Sequence, residues 1–208
     1  MKTALMQAAL FALIYCAIGN IAVAMDSKKT IEDSGQLQQY YWYDGSQKTP
    51  IWLNPGLIAE FNPNPAGQAA VKKKLPGVIL HSKQPPSMRL WQIEAGVEPV
   101  STTRSLNESH PEVRISPVLH DGPSGSSRMR ALPGNIIIYM DPKWDEKTVN
   151  KWADSHNLTI VKKMGVGRNA YIIKTGPGIA ALETANSIYE SGEVLAAFPD
   201  WWEEVVKR

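Results

Sequence analysis

Cysteine is almost absent from this 208-residue chain, in which Cys16 stands alone. One cysteine excludes intrachain disulfides and any zinc site built on several thiolates. Histidine is nearly as scarce. His81, His110, His120 and His156 show neither H-x-x-x-H nor H-E-x-x-H spacing, which removes helical metal sites of that kind. The longest run of like charge is Lys72–Lys73–Lys74, and 22 Lys and Arg against 20 Asp and Glu leave a formal charge of +2. Without a basic stripe interleaved with aromatics, nucleic acid is not an expected partner. The G-x-S-x-G elbow of hydrolases is missing too. His120, Asp121 and Ser124 supply the residue types of a triad, but they sit together on a flexible stretch with nothing to build an oxyanion hole. Gly165–Val166–Gly167 opens no helix and so cradles no phosphate. Asp141 and Asp145 read as helix-start residues. The expectation is a protein that is not an enzyme and carries no catalytic residues, cofactor or metal.

Only one long hydrophobic run is present, at the start: MKTALMQAALFALIYCAIGNIAVA. Lys2, the apolar stretch and Ala22–Val23–Ala24 have the layout of a secretory signal, residues 1–24. A retained anchor is the alternative, but Gly19 and Asn20 interrupt the run. Tyr15 is too large for the position before a lipidated cysteine, so Cys16 does not mark a lipoprotein. The protein is therefore expected to be exported, periplasmic or extracellular, with no membrane association after cleavage. Its mature part then has no cysteine, and it holds all seven tryptophans.

Residues 25–39 read as a flexible lead. From Tyr40, YYWYDGSQKTPIWL predicts a strand to Tyr43, an Asp44–Gly45 turn and a second strand from Pro50. DGPSGSSRMRALPG is dense in Gly, Ser and Pro, so residues 121–133 read as a linker between two units. In the second unit, 134–200, GNIIIYM is a strand. Asp145 caps a helix whose Trp144 staples to Val149, and Val149, Trp152, Ala153 and His156 share one face. Asn157 stops that helix. LTIVKK and AYIIKT are strands two and three. A helix with Ile179, Leu182, Ala185, Ile188 and Tyr189 inward ends at Gly192, and EVLAAF (193–198) is strand four. This order is βαββαβ, an α+β ferredoxin-like fold with an antiparallel sheet and two helices on one face. Residues 40–120 repeat the order in degenerate form, from PIWLNPGLIAEF to SLNESHPEVRISPVL, and SLNESHPEV parallels SIYESGEV. The expected architecture is two tandem units.

Ile136, Ile138 and Met140 face one side of the first strand and Asn135, Ile137 and Tyr139 the other, so both faces are apolar. Ile136, Ile138 and Met140, with Val161, are taken as the open sheet face. Either the first unit covers that face or a partner protein does.

ALPGNIIIYMDPKWDEKTVNKWADSHNLTIVKKMGVGRNAYIIKT and ALETANSIYESGEVLAAFPD resemble the N-terminal prodomain of subtilisin-like serine proteases. The resemblance covers about the last 75 residues and rests on the LPGN strand start, the SHNL helix end, the YIIKT strand and the closing FPD. In that family the prodomain assists folding of its protease and then inhibits it. Its open sheet face packs on the catalytic domain, and the segment after the last strand lies in the active-site cleft. The resemblance therefore implies a partner, a subtilisin-like serine protease acting in trans, because only eight residues follow Asp200. It also implies a protease-binding tail of Phe198, Pro199, Asp200, Trp201, Trp202 and Arg208, with residues 201–208 directed into the cleft. Trp201 and Trp202 have packing on the first unit as their other reading. For the protein as a whole, the alternatives are a structural or interaction module reusing the fold, and an inert remnant of a proenzyme.

Overall fold

The computed structural model describes residues 37–84, 87–123, 128–165, 167 and 169–204. The expected signal 1–24, most of the lead, Ser124 of the linker and Arg208 lie outside the described residues. All of the described residues belong to one compact unit.

The chain enters on a hairpin of β1 (Gln39–Asp44) and β2 (Gln47–Phe61). Asp44 pairs with Gln47, leaving Gly45–Ser46 as a two-residue loop, and Gly45 at φ +61 supplies the left-handed backbone that such a loop needs. Because the turn is so tight, β2 starts three residues before the expected Pro50. It then runs for 15 residues, with a register shift between Leu53 and Ile58. Next come α1 (Pro65–Lys74), β3 (Ile79–Gln84), β4 (Met88–Gln92), α2 (Pro99–Ser109) and β5 (Arg114–His120). Asn64 accepts the Gly67 amide at 2.8 Å to start α1, and Glu98 accepts the Val100 and Ser101 amides to start α2, each followed by proline at the first helical position. The strands lie in the order β5-β2-β4-β3. Ile58, Trp91, Ile115, Val71 and Leu106 close the core under the helices.

A short strand β6 (Met129–Ala131) follows, then β7 (Ile136–Tyr139), α3 (Glu146–Ser155), β8 (Thr159–Lys163), β9 (Ala170–Lys174), α4 (Ile179–Glu190) and β10 (Ala196–Pro199). Asp145 accepts the Thr148 amide at 2.8 Å, and Asn157, at φ +54, lets the Leu158 amide return to the Ala153 carbonyl. The order β10-β7-β9-β8 repeats that of the first sheet. Fourth, first, third, second is the ferredoxin-like order, and it occurs twice here. Strand four begins at Ala196 rather than 193, because Gly192 at φ +73 is followed by a turn before pairing resumes.

Two features shape the site. The stretch read as a linker contains β6, which pairs with β5 on one side and with a last strand, β11 (Trp202–Glu203), on the other. The two halves also share a core, since Ile51, Leu53, Leu119 and Leu132 pack in one cluster with Ile136, Ile138, Trp152 and Leu182.

Candidate functional site

The parity of β7 decides which face of the second sheet is open. Ile136, Ile138 and Met140 are wholly buried, packed with Val149 and Trp152 of α3 and Leu182 and Ala185 of α4. They form the helix-covered face, and their expected place on the open face is corrected. Both parities are apolar, so alternation could not choose between them, whereas the helices fix the choice. Val161 is exposed, but it lies at the register shift between Ile160 and Lys162 and faces no partner across the sheet.

The open face is built from the other parity. Ile137 pairs with Ile172 on one side and Phe198 on the other, and directly opposed residues point to the same face. All three are half-buried, as is Tyr139, whose ring lies 5.9 Å from that of Phe198. These four side chains make an apolar patch in the middle of a sheet that alternation would otherwise leave polar. Lys162, opposite Ile172, stands on its β8 side.

The tip of the first hairpin stands at the other end. Trp42, Asp44 and Gly45 join Ile137, Phe198, Asp200 and Trp201 around a cleft of about 320 Å³. Burial holds the Asp200 carboxyl above the ordinary aspartate value, and Arg114 and Lys162 draw it down only in part. The cleft is open, with aromatic walls and acidic groups.

The predicted tail residues are brought together, but not as a free tail. Pro199 still pairs with Ile136, and the Asp200 amide donates to the Asn135 carbonyl at 3.2 Å. Two residues later, Trp202 pairs with Ala131 in the other sheet, and the Glu204 amide reaches the Met129 carbonyl at 3.0 Å. Residues 199–204 thus form a strap from one sheet to the other. Trp201 packs edge-on to Trp42 at 5.7 Å, with its indole nitrogen buried and unpaired among the described groups. Trp202 lies against Ala131 and Met129 on the helix-free side of the first sheet. In the free chain, packing on the first unit, the other reading given above for Trp201 and Trp202, is the one found for residues 201–204, because two large indoles find apolar surface there.

Arg130 holds the strap in place and has no signal in the sequence beyond the three-residue alternation Met129–Arg130–Ala131. Its buried guanidinium pairs with Asp121 and Glu203, and it lies over the rings of Trp42 and Trp201 at 5.2 and 5.5 Å. Of the residues weighed as a triad, Ser124 lies outside the described residues and the other two have partners of their own. Asp121 serves Arg130, while His120 is buried and bonded to Asn54 at 2.8 Å. His156 takes a capping place, its ring nitrogen 2.8 Å from the Trp152 carbonyl. Among the described residues, no three His, Cys, Asp or Glu side chains are grouped to hold a metal, and no helix is long and apolar enough to cross a membrane.

No family model and no curated protein matches the chain. Among solved structures, the small subunit of acetolactate synthase from Thermotoga maritima matches at 15% identity, over 73% of this chain and 98% of that one, with a TM-score of 0.25. A superposition of that quality carries no argument about function.

Proposed function

We propose that this is an exported, non-catalytic protein that binds a subtilisin-like serine protease, inhibiting it, assisting its folding, or both. The observation that supports the reading most is the half-buried apolar patch of Ile137, Tyr139, Ile172 and Phe198 on the sheet face opposite the helices. A patch of this kind in the centre of a sheet suits a protein partner, and the acidic, aromatic cleft beside it extends the surface toward the tail. The test is titration of the purified chain into a subtilisin-like protease, beside Ile137→Asp with Phe198→Asp. The native chain is expected to inhibit, and the double variant to lose about a hundredfold in affinity while staying folded. Equal inhibition by both forms would remove the sheet face from the interface, and none by either would sink the reading for that protease.

The packing of Trp201 and Trp202 favours a second reading, an interaction module in which the strap is purely structural. A chain ending at Asp200 separates the two. Under the first reading it loses inhibition, and under the second it loses stability while any binding by the sheet face survives.

A further inference from the structure

We infer that the C-terminal strap is a latch closed by Arg130. In the free protein residues 202–204 are held as the edge strand of the first sheet, and a protease gains the tail only by peeling that strand away. This rests on the reading just given, because it concerns how the same tail is made available.

Arg130 receives carboxylates from two directions, Asp121 in the bend just after β5 and Glu203 in β11. Arg128 also reaches Glu203, at 3.3 Å, so that one tail carboxylate serves two arginines. The guanidinium of Arg130 stacks over Trp42 and Trp201, which ties the hairpin, the strap and β6 at one point. The main chain of the strap is engaged as well, through the Trp202–Ala131 and Glu203–Arg130 pairs and the Glu204 amide.

A groove that reads an extended peptide uses its main-chain groups and alternate side chains. Here both are already occupied within the molecule. Detaching β11 would leave Arg130, whose side chain is 10% exposed, with one carboxylate instead of two, and would take Trp201 from Trp42. Opening is therefore a discrete, unfavourable step rather than fraying. Docking on the Ile137–Phe198 face and insertion of the tail become separable events, and the second waits for the latch.

Hydrogen exchange on the full chain tests the latch without any protease. In Arg130→Met the Glu204 amide should exchange about tenfold faster than in the native protein, with the Ile137 and Ile172 amides unchanged. Arg130→Lys, which keeps the charge without the fork, should fall between. Glu203→Gln gives the same readout should Arg130→Met fail to fold. Unchanged Glu204 exchange in a folded variant lacking either partner overturns the latch.

A Met129→Cys, Glu204→Cys pair, in a chain also carrying Cys16→Ser, ties the strap shut when oxidised and frees it when reduced. Inhibition of a subtilisin-like protease should be about tenfold weaker in the oxidised form. Equal inhibition in both states overturns the latch. Inhibition by no form defeats the docking reading alone, since the exchange result still decides whether Arg130 holds the strand.

Discussion

The two sheets share one four-strand order, extended in the first by β1, β6 and β11, and have opposite fortunes on their helix-free faces. On the first, Ala59, Phe61, Met88, Leu90, Val118 and Ala131 are buried in one cluster, to which Trp202 is added. On the second, Ile137, Tyr139, Ile172 and Phe198 remain half-buried. Topology alone therefore does not specify a binding face. What distinguishes the second sheet is that its apolar face is only half withdrawn from water, next to the place where the chain crosses from one sheet to the other.

Charge substitution should break the comparison most sharply. Leu90→Asp puts a carboxylate at a fully buried position and is expected to cost about 5 kcal/mol, enough to unfold a marginally stable domain. Ile172→Asp, the matching change on the second sheet, should cost about 1 kcal/mol. Urea denaturation of both variants measures this, and equal losses would mean that the two faces are equally closed.

The shared core makes the next prediction. Trp91 lies in the core of the first unit, with its indole donating to Glu60 at 2.9 Å, and Trp91→Ala should cost about 4 kcal/mol. Because Ile51, Leu53, Leu119 and Leu132 belong to the second unit's cluster, unfolding should remain a single transition. Two separate transitions, seen by comparing circular dichroism with tryptophan fluorescence, would show that the halves are independent.

A smaller effect sharpens the contrast between helix starts. Burial raises the Glu98 carboxyl, but the hydrogen bonds from Ser101 and Val100 outweigh it, so that the net shift is downward. A depressed carboxylate contributes stability above its unfolded value, and this is lost as pH falls through the folded one. Glu98→Ala should therefore cost about 1 kcal/mol at neutral pH and progressively less in acid. An equal loss at both pH values would rule out the cap.

The least effect is expected where the hairpin meets α4. The Tyr41 and Tyr43 hydroxyls both donate to Glu190, at 3.0 and 2.8 Å. That hydrogen bond pushes the Tyr43 hydroxyl up to about 12, while Tyr40 reaches about 12 chiefly by burial. A raised tyrosine contributes below its unfolded value and loses that contribution as pH rises through the folded one. The bond to Glu190 raises the Tyr41 hydroxyl as well, so alkaline titration followed by absorbance should show three late tyrosines, and Tyr43→Phe should remove one.

The sequence made local features legible and left non-local ones open. Asp145 and Asn157 mark the ends of α3 because caps are formed by residues a few positions apart. Ile136 and Ile137 could not be assigned to faces, since the choice depends on helices that pack from elsewhere in the chain. Arg130 was hidden for the same reason. Its partners Asp121 and Glu203 lie on either side of it, and the second belongs to a strand 73 residues away. The two tryptophans of the tail announced an anchor, and the structure places that anchor on the molecule itself.

The bulge in β2 gives one strand two grammars. Before it, odd-numbered Ile51 and Leu53 address the shared core. After it, even-numbered Ile58 addresses the core of the first unit, while Ala59 and Phe61 turn to the opposite side. The Asn54 side chain, accepting the Gly56 amide at 2.8 Å, punctuates the change. Deleting one residue between Asn54 and Gly56 would thus be a frameshift in space, in which every later side chain of the strand is read out on the wrong side of the sheet.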